Sequence, residues 1–174
     1  MAKGVDLVAV HGLGGLGHLA VQYAVRLGLK TVVLSRGREK EELAHTLGAS
    51  AYFDTTSTDV AKELNKMGGA RVLLCTAPNS KTISDLLGGL SRNGQLIIVA
   101  FAQDPMQISP SVLLRGGRSI CGYVGGDVEE AVQFSVLWKI VPMVEIFLLE
   151  EAAAAYEKMM SSKVHFRAVV TMSK

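Results

Sequence analysis

Gly12, Leu13, Gly14, Gly15, Leu16 and Gly17 carry the clearest chemistry in the chain, because they spell G-x-G-x-x-G between an apolar run and an amphipathic stretch. A strand that enters a helix through such a loop makes an anion site. Backbone N–H groups at the helix start have no internal partner, and the helix dipole adds positive potential there. Gly12 permits the tight turn, Gly14 removes a side chain that would block a pyrophosphate, and Gly17 lets the helix lie close to the sheet. A glycine-rich turn without a ligand is the bland alternative, and the strand-to-helix setting favours dinucleotide binding over it.

Which dinucleotide follows from the end of the second strand, which reads Leu34-Ser35-Arg36-Gly37-Arg38-Glu39-Lys40. A carboxylate there would bond the adenosine ribose of NAD and repel a 2′-phosphate, and none occupies the strand end. Ser35 can donate to a phosphate oxygen, and Arg36, Arg38 and Lys40 can add charge-assisted hydrogen bonds. The same cations could be the solvated first turn of a helix balanced by Glu39, Glu41 and Glu42. Cations at a helix N-terminus oppose the dipole, so NADP is favoured over NAD.

Other reactive residue types form no constellation. His11, His18, His45 and His165 show no metal-binding spacing, and His18, opening the helix behind the loop, reads as a packing or capping residue. None of the four tyrosines is followed four places later by lysine, so the Tyr-x-x-x-Lys dyad is absent. Cys75 and Cys121 read as small apolar fillers of strands. Met143, Met159 and Met160 are expected to pack in a closing hairpin and helix. No catalytic residue and no metal ligand is assigned.

Short apolar runs alternating with amphipathic stretches position these residues. Strands are expected at Val5 to Val10, Thr31 to Leu34, Ala51 to Asp54, Ala70 to Cys75, Gln95 to Ala100 and Ser119 to Tyr123. Helices are expected at Leu16 to Leu27, Arg38 to Leu47, Asp59 to Met67, Lys81 to Leu90 and Asp127 to Leu137. Pro105, Pro110, Gly116 and Gly117 read as turns. Met143 to Leu148 reads as extended, Glu150 to Met160 as a helix and Phe166 to Met172 as a final strand. The rhythm implies an α/β fold, a doubly wound parallel sheet of order 3-2-1-4-5-6 with its crevice between the first and fourth strands, closed by a C-terminal helix and strand.

Composition removes several function classes. The 174 residues suffice for one core without staples, and two cysteines supply no disulfide framework, which points to a reducing compartment, the cytoplasm. A net charge of +2 with both signs interspersed gives no basic face for nucleic acid. Apolar runs such as Leu96 to Ala102 fall far short of the ~20 residues of a membrane span, and Met1 to Asp6 has no signal-peptide pattern.

The order of motifs resembles the zinc-containing medium-chain alcohol dehydrogenases, particularly the NADP-preferring branch that includes cinnamyl alcohol dehydrogenases. The matching segments are GLGGLGHLAVQYAVRLG (Gly12 to Gly28), LGA (Leu47 to Ala49), CTAPN (Cys75 to Asn79), NGQLIIVA (Asn93 to Ala100) and LLEEAAAAYEKMMSSKVHFRAVVTM (Leu148 to Met172). The resemblance implies a pyrophosphate loop at Gly12 to Gly17, with Ser35, Arg36 and Lys40 as a 2′-phosphate pocket. It also implies coenzyme contacts at Thr76, Gly94, Val99, Ala100, Phe101, Gly122, Tyr123 and Val124. It divides the chain into a coenzyme domain, 1–147, and a segment, 148–174, that in the family returns to the catalytic domain. It implies a homodimer paired through the sixth strand, Ser119 to Tyr123, and a small alcohol or aldehyde substrate.

Departures from the pattern bear on activity. The family holds its catalytic zinc through a Cys and a Gly-His-Glu motif of a preceding GroES-like domain, and no segment here matches them or the four-cysteine zinc loop. Zinc is therefore expected only through that other domain. Two readings follow: the coenzyme-binding part of an NADP-dependent alcohol dehydrogenase, or a stand-alone NADP(H)-binding module without catalysis. The segment between Val124 and Glu130 is shorter than in the family.

Overall fold

The computed structural model describes residues 5–161 and 163–172, so residues 1–4 of the leader-peptide reading lie outside the described residues. Six parallel strands form one sheet: β1 (Leu7–His11), β2 (Lys30–Ser35), β3 (Ala51–Asp54), β4 (Ala70–Cys75), β5 (Leu90–Ile98) and β6 (Ser119–Gly122). Their order is β3-β2-β1-β4-β5-β6, as the rhythm predicts. Helices α1 (Gly17–Arg26), α2 (Glu41–Thr46), α3 (Val60–Lys66) and α4 (Ser80–Leu86) connect the first five strands.

Strands covered on both faces must be apolar on both, and β1 shows how this works. Leu7 and Ala9 join one buried cluster with Leu34, Leu73 and Leu96, while Val8 and Val10 join another with Val21, Val33 and Ala44. Successive residues thus serve opposite layers, which is why the strands read as unbroken apolar runs. Helix ends follow local chemistry. Asp59 accepts from the Lys62 N–H at 3.1 Å and Asn79 from the Thr82 N–H at 2.9 Å, each satisfying a donor that the helix cannot. Gly28 closes α1 at φ +76°, a conformation that favours glycine.

Several expectations need correction. The fourth helix stops at Leu86 and gives way to a 3-10 turn at Leu87–Gly89 rather than running to Leu90. Strand β5 starts at Leu90, five residues before Gln95, because a register irregularity opposite Ala70 and Val72 absorbs the polar Arg92-Asn93 stretch. Pro110 begins a helix, α5 (Pro110–Leu114), instead of marking only a turn; proline suits a first helical position, where its missing N–H costs nothing.

The C-terminal part is a unit of its own. Strands β7 (Val144–Leu148) and β8 (Arg167–Thr171) pair in parallel in a second sheet, joined by α7 (Ala152–Met160), so they are not a hairpin. Parallel neighbours need a crossover, which α7 supplies. A division after residue 147 falls inside β7. Met159 and Met160 are exposed rather than packed in a core. Between the sheets, α6 (Val128–Trp138) lies against α1, with Tyr23 stacked on Phe134 at 5.5 Å and its hydroxyl donating to the Ala131 carbonyl at 3.0 Å.

Candidate coenzyme site

A cleft of about 470 Å³ opens at the carboxyl ends of β1, β2 and β4, where open α/β sheets hold their ligands. Its wall is the loop from Gly12 to Gly15. Gly12 has φ +95°, and its N–H donates to the Leu34 carbonyl at 2.8 Å. A Cβ on Gly17 would sit 1.8 Å from the Gly12 carbonyl oxygen, so the helix start touches the strand end through that position. A Cβ on Gly14 would meet nothing within 4 Å. Gly14 is therefore not needed for packing, and its missing side chain leaves open space in the cleft.

Thr76, beyond the end of β4, lines the cleft, but its hydroxyl is already used: the His11 and Gly12 carbonyls lie 3.0 and 2.9 Å away. Since one proton cannot fully serve both, Thr76 braces the loop rather than reaching outward. Leu16 is the cap residue before α1 and lies outside the cleft lining, as does Gly17.

At the β2 end the cations separate. Ser35 and Arg36 line the cleft, and Arg36 makes no hydrogen bond or ion pair among the described residues. Lys40 also lines it, with Nζ donating to the Leu13 carbonyl at 2.9 Å and standing 5.6 Å from the Phe166 ring centre. Arg38 faces solvent, pairs with Glu41 at 3.3 Å and does not line the cleft. Asp54, which sequence reasoning passed over, shapes this loop. Its carboxylate accepts from Thr56 N–H and hydroxyl at 2.9 and 2.8 Å, from the Ser57 hydroxyl at 2.9 Å and from the Gly37 N–H at 2.9 Å. Those bonds, the Thr56 ones foremost, push its pKa down to about 2. The run Asp-Thr-Thr-Ser after a strand was the available signal.

The roof comes from the C-terminal unit, through Met159, Val164 and Phe166. The latch is His18, which is fully buried and stacks on Phe166 at 4.7 Å between ring centres. Its Nδ1 lies 3.0 Å from the Gly14 carbonyl, and its Nε2 accepts from the Met143 N–H at 3.0 Å. These partners require the neutral Nδ1–H tautomer, consistent with a pKa lowered chiefly by burial. Replacing His18 by Leu should free β7 and α7 from the loop and cost about 2 kcal/mol through the stranded polar groups. Limited proteolysis would show it as faster cutting near Met143.

The remaining expected positions are not gathered here. Gly94 lies toward the opposite end of the sheet: a Cβ there would stand 2.8 Å from the Ala70 carbonyl, at the start of β4, so the glycine serves strand packing and does not line the cleft. Val99, Ala100 and Phe101 follow β5, and Gly122, Tyr123 and Val124 end or follow β6. They lie at the correct edge but do not line the cleft, and Phe101 and Val124 are almost wholly exposed. Cys75 is buried, its thiol pushed up to about 12, as befits a filler. Among the described residues, no group of three or more His, Cys, Asp or Glu could hold a metal ion, and no helix is long and apolar enough to cross a membrane.

A parallel sheet of this order, with a glycine loop between β1 and α1 and a cleft at the switch point, defines the Rossmann class of doubly wound domains. A family model described as zinc-binding dehydrogenase matches residues 15–138. The chain is 44% identical over 170 residues to alcohol dehydrogenase notN of Aspergillus sp. (strain MF297-2), covering 96% of this chain and 50% of that protein. It is 33% identical over 171 residues to probable cinnamyl alcohol dehydrogenase 6 of Arabidopsis thaliana, covering 95% of this chain and 46% of that one. The crystal structure of CAD from Helicobacter pylori complexed with NADP(H) superimposes with a TM-score of 0.82 at 29% identity, over 99% of this chain and 49% of that chain. The chain belongs to the zinc-binding dehydrogenase family. It spans about half the length of the curated relatives it matches.

Proposed function

We propose that this chain binds NADP(H) in the cleft between β1 and β4 as the coenzyme-binding part of an alcohol dehydrogenase. The observation that carries this reading is the pairing of open space at Gly14 with the unpartnered Arg36 at the other end of the same cleft. A pyrophosphate against Gly12 to Gly15 would receive loop N–H groups and the positive end of α1. A 2′-phosphate would meet Ser35 and Arg36, with Lys40 holding the loop and adding charge. Bound there, the coenzyme supplies or accepts the hydride exchanged with an alcohol or aldehyde. The chain's own part is to hold the two phosphate groups and to shield one side of the cleft with Phe166.

Residues 148–174 are proposed as the part that meets a catalytic domain, and residues 1–147 as the coenzyme domain. Among the described residues, strand β6 is paired only on its β5 side, so Ser119 to Tyr123 is the proposed homodimer edge. Two free cysteines suit a reducing compartment, here the cytoplasm. The zinc named by the family description is proposed to lie in the part of the relatives that this chain does not cover.

Calorimetric titration with NADPH and NADH tests the reading. Arg36→Ala is expected to weaken NADPH about tenfold or more and NADH less than twofold, since only the first carries the extra phosphate. Equal losses would place the 2′-phosphate elsewhere, and no binding of either coenzyme would end the proposal.

A further inference from the structure

His11 ends β1 at the base of the glycine loop and is 95% buried, at 5% exposure. The residue lines the cleft, and its Nδ1 is buried with no hydrogen-bond partner. The neighbouring polar groups are committed: the Thr76 hydroxyl to loop carbonyls, Lys40 Nζ to Leu13, and both His18 nitrogens to Gly14 and Met143. The sheet register puts Leu34 and Cys75 on either side of His11, and neither offers a strong partner. An apolar ring would fill this place without the cost of an unmet nitrogen. Buried polar groups left unmet in a binding cleft are accounted for when a ligand completes them.

We propose that His11 is a coenzyme-contacting residue that hydrogen-bonds an oxygen of the nucleotide's ribose–pyrophosphate chain where it crosses from the β1 side to the β4 side. A half-turn of the ring about its Cβ–Cγ bond exchanges Nδ1 with a carbon of similar size, so the nitrogen can change sides without repacking. Asn79 and Thr82, at the start of α4, line the same stretch and keep it polar. The inference rests on the coenzyme reading above.

Titration of NADPH into the chain, His11→Phe and His11→Asn, with thermal melting of each before ligand is added, tests it. His11→Phe should bind NADPH about tenfold more weakly while melting no lower than the unaltered chain. His11→Asn should regain most of the affinity through its side-chain amide. Unchanged affinity in His11→Phe would overturn the inference alone, as would affinity and melting temperature falling together, the mark of a packing residue. An equal loss in His11→Asn would overturn the hydrogen bond. Failure of the unaltered chain to bind NADPH would overturn the coenzyme reading and this contact with it.

Discussion

Gly17→Ala should leave little folded protein at 37 °C, whereas Gly14→Ala, three residues away in the same motif, should melt like the unaltered chain and lose the coenzyme. The added methyl at 17 would stand 1.8 Å from the Gly12 carbonyl oxygen, a contact between two backbone segments that no rotamer can relieve. Either α1 must lift from the sheet or the β1 turn must open, and both routes break buried layers. A cost on the order of 4 kcal/mol or more is expected, against a total stability of about 5–15 kcal/mol for a domain. At Gly14 the methyl meets no atom within 4 Å, and the backbone is not in the left-handed region, so stability should move by less than about 0.5 kcal/mol. The methyl would instead occupy space proposed for the pyrophosphate. Circular dichroism melts with NADPH titrations separate the two effects. Full coenzyme affinity in Gly14→Ala would remove the loop from the binding site.

The second large effect is acid sensitivity below neutral pH. Burial lowers the His11 pKa from 6.5 to about 4 and also lowers that of His18. With the folded-state value below the unfolded one, the unfolded chain takes up protons first. The stability due to this term is fully present above about pH 6.5 and is lost as pH falls through the window toward 4. For His11 the loss amounts to about 3 kcal/mol at the acid end, an order-of-magnitude figure. His18 acts in the same direction, because its protonated ring could no longer accept from the Met143 N–H. Urea midpoints between pH 7.5 and 4.5 should fall steadily, and His11→Phe should flatten most of that slope. An unchanged slope in the variant would mean that His11 is not held neutral by burial. Asp54 extends the trend at lower pH: its depressed carboxyl adds a contribution present above about pH 4 and lost toward 2.

The sheet was legible because strands buried on both faces leave a local trace. Thr31 to Leu34 and Ala70 to Cys75 carry their signal within a few residues. The glycine loop was equally plain, since Gly12 and Gly17 answer to steric demands that only their own neighbourhood imposes. Arg36 and Arg38 differ by nothing that composition records; the turn at Gly37 sends one toward the cleft and the other toward Glu41. Nor could spacing assign Phe166, whose place against His18 and Lys40 depends on a contact between distant parts of the chain. Gly94 is ambiguous in the sequence, because a glycine within a strand reads the same whether it opens space for a ligand or lets two strands draw together. Parallel rather than antiparallel pairing of β7 and β8 was hidden too, because strand patterns do not encode direction.

The roof over the cleft ties together stretches that lie far apart in the sequence. The glycine loop and the cations lie in residues 11–40, whereas Met159, Val164 and Phe166 come from the C-terminal unit. A chain cut between α6 and β7 would keep the glycine loop but lose one side of the cleft. Under the coenzyme reading proposed above, it should release the nucleotide faster than the uncut chain.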